Sequence, residues 1–206
     1  MLFFILVKAI VLVLLGLNIR RRELLPAKGP AIIVANHNSH LDTLALISLF
    51  PLRRLPKIHP IAAADYFLKN RFLAWFSTRI IGIIPIARGK ANKSYDPLQP
   101  CCDALDKGNI IILFPEGTRG EPEQITQFKK GVAYLAERYP NIPIIPVFIH
   151  GLGKALPKGD FVLVPFFCDI FLGNPLSFDN DKNTFMDKLN NSFQALAGEG
   201  NFAVWK

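Results

Sequence analysis

A chain of 206 residues, 50% of them apolar and 17 of them Phe, has the mass of one domain and enough nonpolar surface to bury a core. Its formal charge of +8 favours an anionic neighbour, a membrane surface before nucleic acid, since no zinc-finger spacing, RNP-type aromatic motif or long basic stripe is present. Cys101, Cys102 and Cys168, the first two adjacent, give no disulfide framework and fit a reducing, cytoplasm-facing environment.

Met1 to Ile19 is almost wholly apolar, interrupted by Lys8, Gly16 and Asn18, and Arg20, Arg21 and Arg22 follow at once. As a helix of about 19 residues it would extend roughly 28 Å, close to the thickness of a hydrocarbon core. Charge that follows the apolar stretch, with no small-residue cleavage site, argues against a secretory signal. The expectation is a membrane-anchoring helix with juxtamembrane arginines over residues 1–22, holding a domain of residues 23–206 on the cytoplasmic face of the membrane. Lys8 leaves open whether the helix crosses the bilayer or lies in its interface. Every later apolar run is broken by Pro, Asp, Lys or Arg.

Pro30 to Ala35, PAIIVA, predicts a buried strand, and Ser39 with Asp42 forms an S-x-x-D box that starts a helix through Leu41 to Leu49. Between them runs Asn36 to Asp42, NHNSHLD. Two residues five apart on a helix are rotated by roughly 140° and share no face, so His37 meets Asp42 only if it precedes the helix. In that arrangement the carboxylate accepts from one imidazole N–H, fixes the tautomer and leaves the other nitrogen free to take a proton. The other reading makes Asp42 a cap for backbone N–H groups and His37 a polar loop residue. A metal site of His37, His40 and Asp42 is set aside, because no recognised ligand spacing or second cluster completes it.

Asp65 to Ile81 interleaves aromatic and aliphatic residues with Lys69, Arg71 and Arg79, which suits a helix lying on anionic headgroups or one packed on a sheet. Gly82 to Arg88, GIIPIAR, contains a further strand and ends in a cation. The run Ile110 to Phe114 predicts a strand that ends at Pro115, where Phe114 to Gly120 reads FPEGTRG. Gly117 and Gly120 permit a tight turn that presents Glu116, Thr118 and Arg119 at the strand end. Arg119 can fork onto a phosphate and Thr118 can donate a hydroxyl hydrogen bond, or the block is a solvated turn with an internal Glu116/Arg119 pair. Walker spacing is missing, which excludes a nucleoside triphosphate loop.

Lys129 and Lys130 precede a helix over Lys130 to Tyr139 and meet either an anion or water. Ile144 to Val147, IIPV, is a strand, and Phe161 to Phe178 reads as two short core strands broken at Pro165 and around Asp169. From Asp181 to Ala197 a helix places Phe185, Leu189, Phe193 and Leu196 on one face. The alternation of strands and helices predicts an α/β domain with a mainly parallel central sheet flanked by helices, and a site at the carboxyl ends of its strands.

Taken in order, NHNSHLD, GIIPIAR, FPEGTRG and IIPV resemble the four sequence blocks of the 1-acylglycerol-3-phosphate acyltransferase family of glycerolipid acyltransferases, over about residues 30–157. The resemblance implies a membrane-associated enzyme that moves a fatty acyl group from an acyl thioester, acyl-CoA or acyl-carrier protein, to the free hydroxyl of 1-acylglycerol-3-phosphate, giving phosphatidic acid. It assigns catalysis to His37 and Asp42 and substrate binding to Arg88, Glu116, Gly117, Thr118 and Arg119. Arg88 and Arg119 would hold the acceptor phosphate, and Glu116 would contact the glycerol or position Arg119. The IIPV strand would line a pocket or serve as core. No metal, cofactor or covalent intermediate is required, because the thioester is already activated. Two rivals stay open: another lysophospholipid or lyso-lipid acceptor, and a non-catalytic membrane-surface binding module. The chain after IIPV is short, which bears on the acyl pocket more than on the chemistry.

Overall fold

The structure, a computed structural model, describes residues 2–14, 16–39, 41–67, 70–87, 95–120, 124–155, 167–200 and 202. Among these the chain runs α1 (Leu2–Leu14), β1 (Leu17–Arg20), β2 (Ala31–Ala35), α2 (Leu41–Ser48), β3 (Ile58–Ala63), α3 (Ala64–Phe67), α4 (Arg71–Trp75) and β4 (Ile84–Ile86). It continues through α5 (Gln99–Asp106), β5 (Ile110–Leu113), α6 (Gly131–Arg138), β6 (Ile144–His150), α7 (Leu152–Ala155), β7 (Cys168–Leu172) and α8 (Lys182–Gly198).

β2 is buried at every position because it lies at the centre of a seven-stranded sheet of order β1-β7-β6-β2-β5-β3-β4. Ile32 stands opposite Ile111 of β5 on one side and Ile144 of β6 on the other. All neighbours pair in parallel except β6 with β7. A parallel sheet covered on both faces needs apolar side chains in both directions, which is why β2, β5 and β6 read as unbroken apolar runs. Side chains of alternate parity feed two cores. Ile33, Ala35, Ile110, Ile112, Ile145 and Val147 pack with Leu46 and Phe50 of the α2 region, with Val11 of α1 on the same side. On the opposite face Ile32, Val34, Ile111 and Phe148 pack with Leu105, Leu135, Phe185 and Phe193 from α5, α6 and α8. Each such fully buried Ile or Phe contributes about 1.5–3 kcal/mol. α8 buries the expected stripe of Phe185, Leu189, Phe193 and Leu196, and Asp181 caps it by accepting from Thr184 N at 2.7 Å.

The N-terminus departs from expectation. The apolar helix ends at Leu14 after 13 residues, about 20 Å long, and no helix among the described residues is long and apolar enough to cross a membrane. Gly16 takes a positive φ of 44°, and Leu17 to Arg20 then pair with Cys168 to Phe171 as an edge strand. A non-local strand partner thus overrides the helical reading of residues 17–19, and the expected boundary at residue 22 falls beyond a strand of the sheet. The three arginines tie that strand down. Arg20 sits over the Phe171 ring with 4.9 Å to its centroid, Arg21 donates to Leu172 O at 2.6 Å and pairs with Glu199 at 2.8 Å, and Arg22 reaches Leu49 O at 3.4 Å. Lys8 donates to Phe50 O at 3.2 Å instead of reaching for headgroups.

Two other stretches differ in detail. Asp65 to Ile81 is not one helix: Asn70 starts α4 by accepting from Phe72 N at 2.8 Å, and a π-helical turn over Phe76–Ile81 follows, closed by Gly82 at φ 80°. Asp169, expected to break a strand, lies inside β7, where its carboxylate accepts from Asn18 Nδ2 at 2.7 Å. The segment 156–166, which includes Pro165, lies outside the described residues.

Candidate active site

The parallel register that sets Val34 beside Leu113 brings the carboxyl ends of β2 and β5 together, so the turns that follow them share one end of the sheet. After Ala35 the Asn36 side chain takes over the ladder toward β6. Its Oδ1 accepts from Ile149 N at 2.7 Å, and its Nδ2 donates to Ile149 O at 2.8 Å and to Asn38 Oδ1 at 2.9 Å. A side-chain amide that mimics a peptide frees the backbone of residues 37–39 to turn.

That turn places His37 before α2 and Asp42 in its first turn, as their spacing requires. Nδ1 of His37 lies 2.9 Å from Asp42 Oδ2, and the same oxygen accepts from Asn38 N and Ser39 N at 2.8 Å each. Both readings of Asp42 hold at once: it caps the turn and holds the imidazole. Asp42 is 1% exposed in its side chain and His37 19%, so the carboxylate is sealed while the ring faces outward. An ionised carboxylate only accepts, which assigns the proton of the neutral ring to Nδ1 and the lone pair to Nε2. The Phe114 ring stacks on the imidazole with centroids 4.2 Å apart and 24° between planes, fixing its tilt.

FPEGTRG forms the tight turn after β5, with Gly117 at φ 73° and its N–H donating to Phe114 O at 3.0 Å. Glu116 points inward. Its residue is 3% exposed, Oε1 accepts from His37 N at 2.9 Å, and Oε2 accepts from the Thr126 hydroxyl at 2.6 Å. Burial pushes the Glu116 carboxyl above the usual range, opposed by the hydrogen bonds from Thr126 and His37 N. Glu116 thus links the His37 turn to Thr126, a task that its expected glycerol contact or Arg119 pairing did not include. Gly120 N closes the arrangement by donating to His37 O at 2.9 Å.

Thr118 is exposed and Arg119 half-buried beside this turn. Arg88 and His40 lie outside the described residues. The IIPV strand is core, with Ile145 and Val147 in one cluster and Ile144 in the other. Cys101, Cys102 and Cys168 are free and buried, and burial pushes the Cys101 thiol up to about 12, far from a reactive thiolate. Asn36, Asn38 and Thr126 were not anticipated. The two asparagines stand inside NHNSHLD and had a local signal, whereas Thr126 carries none.

The profile described as Acyltransferase matches residues 16–150, from β1 through β6. The chain belongs to the acyltransferase family. Relatives of the chain include the chloroplastic 1-acyl-sn-glycerol-3-phosphate acyltransferase LPAT1 of Arabidopsis thaliana, 31% identical over 144 residues, 69% of this chain and 38% of that one. The 1-acyl-sn-glycerol-3-phosphate acyltransferase of Saccharomyces cerevisiae is 34% identical over 126 residues, 60% of this chain and 39% of its own length. The chain thus spans only 38% and 39% of those two curated relatives. The crystal structure of the 1-acyl-sn-glycerophosphate acyltransferase PlsC from Thermotoga maritima superposes with a TM-score of 0.77 at 18% identity, covering 98% of this chain and 81% of that one, and shares its fold.

Proposed function

We propose that this acyltransferase moves a fatty acyl group from an acyl thioester to the free hydroxyl of 1-acylglycerol-3-phosphate, giving phosphatidic acid. The observation that carries the reading is the His37 Nδ1 to Asp42 Oδ2 bond of 2.9 Å, with the carboxylate buried and the ring partly exposed. Nε2 takes the proton of the acceptor hydroxyl as its oxygen attacks the thioester carbonyl. Asp42 keeps the ring in the required tautomer and stabilises the imidazolium that forms. General-base assistance of this kind is worth about 10²- to 10⁴-fold in rate. As the tetrahedral adduct collapses the C–S bond breaks, the thiolate leaves, and the imidazolium proton is available to it. Arg119, beside the Glu116 turn, binds the acceptor phosphate, and Arg88 is the second cation that the sequence resemblance assigns.

The same reading puts the protein on a membrane surface. Ile5 and Leu6 of α1 and Phe72 and Trp75 of α4 are exposed, and α1 meets the π-helical turn that continues α4 where the Phe3 and Phe76 rings touch with centroids 5.1 Å apart. Exposed Arg71 and Arg79 flank the patch. An apolar face rimmed by cations suits an interface with anionic headgroups. The α1 helix lies in that interface.

Detergent-solubilised protein with labelled acyl-CoA and lysophosphatidic acid, run beside His37→Ala, tests the proposal by release of free thiol and formation of phosphatidic acid. Product from the wild type alone supports the acyltransferase and its base together. Product with acyl-carrier protein or another lysolipid instead moves the substrate, and silence with every pair favours a binding module.

A further inference from the structure

Lys129 and Lys130 are adjacent and both exposed, yet they do different things. Lys130 turns to the rear of the domain, where its ammonium donates to Asn183 Oδ1 of α8 at 2.9 Å. Lys129 turns the other way. Its backbone N–H is anchored on Pro115 O at 2.8 Å, and its side chain lies flat across Gly117. A Cβ built on Gly117 would stand 2.9 Å from Lys129 Cε and 3.1 Å from Cδ, and nearer still to Nζ. The glycine therefore serves twice: it takes the positive φ of the turn, and it leaves bare the surface on which the lysine rests.

Among the described residues this ammonium has no carboxylate of its own. Glu116, the acid next to Gly117, has one oxygen on His37 N–H and the other on the Thr126 hydroxyl, and among the described residues no ion pair involves Lys129. A cation is thus held over the residue that separates the brace of the catalytic turn from Thr118 and Arg119. A phosphate monoester at neutral pH carries a charge of about −1.5 to −2, more than one guanidinium neutralises. A phosphodiester has lost one of its acidic oxygens. Lysine binds phosphate as a point charge and so complements the bidentate fork of an arginine.

Resting on the acceptor assigned above, we propose that Lys129, seated on Gly117, contacts the acceptor phosphate beside Arg119 and selects a phosphate monoester over a phosphodiester. Lys130 has no part in this.

The test compares Lys129→Ala, Lys129→Arg and Lys130→Ala with the full-length wild type. Acyl transfer to lysophosphatidic acid and to lysophosphatidylethanolamine is followed, together with calorimetric binding of a short-chain lysophosphatidic acid below its micelle concentration. Loss of one charge-assisted bond corresponds to about tenfold in affinity or more. The expected result is a KM for lysophosphatidic acid about tenfold higher in Lys129→Ala with kcat within about twofold, a matching loss in calorimetry, and little change with the phosphodiester. Lys129→Arg recovers most of the loss and Lys130→Ala shows none. Equal affinity of Lys129→Ala and wild type for the monoester, or an equal loss on both acceptors, overturns the assignment. A wild type that binds the monoester without acylating it overturns the proposed reaction, and the calorimetric comparison alone then decides Lys129. A wild type that binds no phosphate monoester overturns both.

Discussion

Glu116 is bonded to His37 through the main chain and not through the ring: its Oε1 accepts from His37 N, while the imidazole is held separately by Asp42. Two carboxylates on two different turns therefore fix one residue, one at its peptide and one at its side chain. Glu116→Ala leaves that N–H without an acceptor, at about 1–3 kcal/mol, and lets the turn drift. The expected outcome is a kcat reduced tenfold or more with a KM for the acceptor within a few-fold. Glu116→Gln keeps an oxygen for His37 N and an amide for the Thr126 hydroxyl, and steady-state kinetics should find most of the activity restored. A Gln variant as poor as Ala would mean that charge, not bracing, is what Glu116 supplies.

Asp42 accepts three hydrogen bonds on one oxygen. Asp42→Asn can preserve the cap but no longer guarantees the tautomer, and kcat should fall by about 10²- to 10⁴-fold, up to the loss seen when a triad carboxylate is neutralised. Asp42→Ala should also cost about 1–2 kcal/mol of stability through the lost cap, read as a lower urea midpoint. His37→Ala removes a partly exposed ring and should abolish transfer, with a loss of urea midpoint no larger than that of Asp42→Ala.

The raised Glu116 carboxyl gives a pH signature with a definite sign. Burial disfavours the ionised form, so the folded protein holds this proton more tightly than the unfolded chain does. Its contribution to stability is fully present below the ordinary glutamate range and is lost as pH rises through the raised folded value. Glu116→Gln does not titrate there. Urea midpoints of variant and wild type measured from acid toward neutral pH should therefore diverge in favour of Gln. Parallel curves would contradict the burial argument.

The proposed membrane attachment through α1 and α4 can be separated from the proposed chemistry. Phe72→Ser with Trp75→Ser removes two exposed aromatics far from the His37 turn in sequence. The double variant should sediment less with anionic vesicles and keep its activity in detergent micelles. Unchanged sedimentation would leave that patch without its proposed partner.

What could be read from the sequence was what the chain specifies locally. The strand at Ala31–Ala35, the apolar stripe of α8 and the positive φ at Gly117 follow from composition within a few residues, and the His37–Asp42 contact follows from spacing plus a cap. What escaped is non-local. Leu17 to Arg20 form a strand because residues 168–171 offer an edge, a partner 151 positions away that outweighs an apolar run suited to a helix. Glu116 turns inward because Thr126 and His37 N–H are there to receive it, and neither can be inferred from FPEGTRG. The adjacent lysines look alike in sequence and separate only when Gly117 and Asn183 are placed around them.

Asn36 grips Ile149 through both halves of its amide, across 113 residues of chain. During synthesis the histidine run leaves the ribosome long before the strand that clamps it, so a nascent chain carries every atom of the proposed base without the Ile149 clamp on its turn. Competence should arrive abruptly, when β6 slides in beside β2.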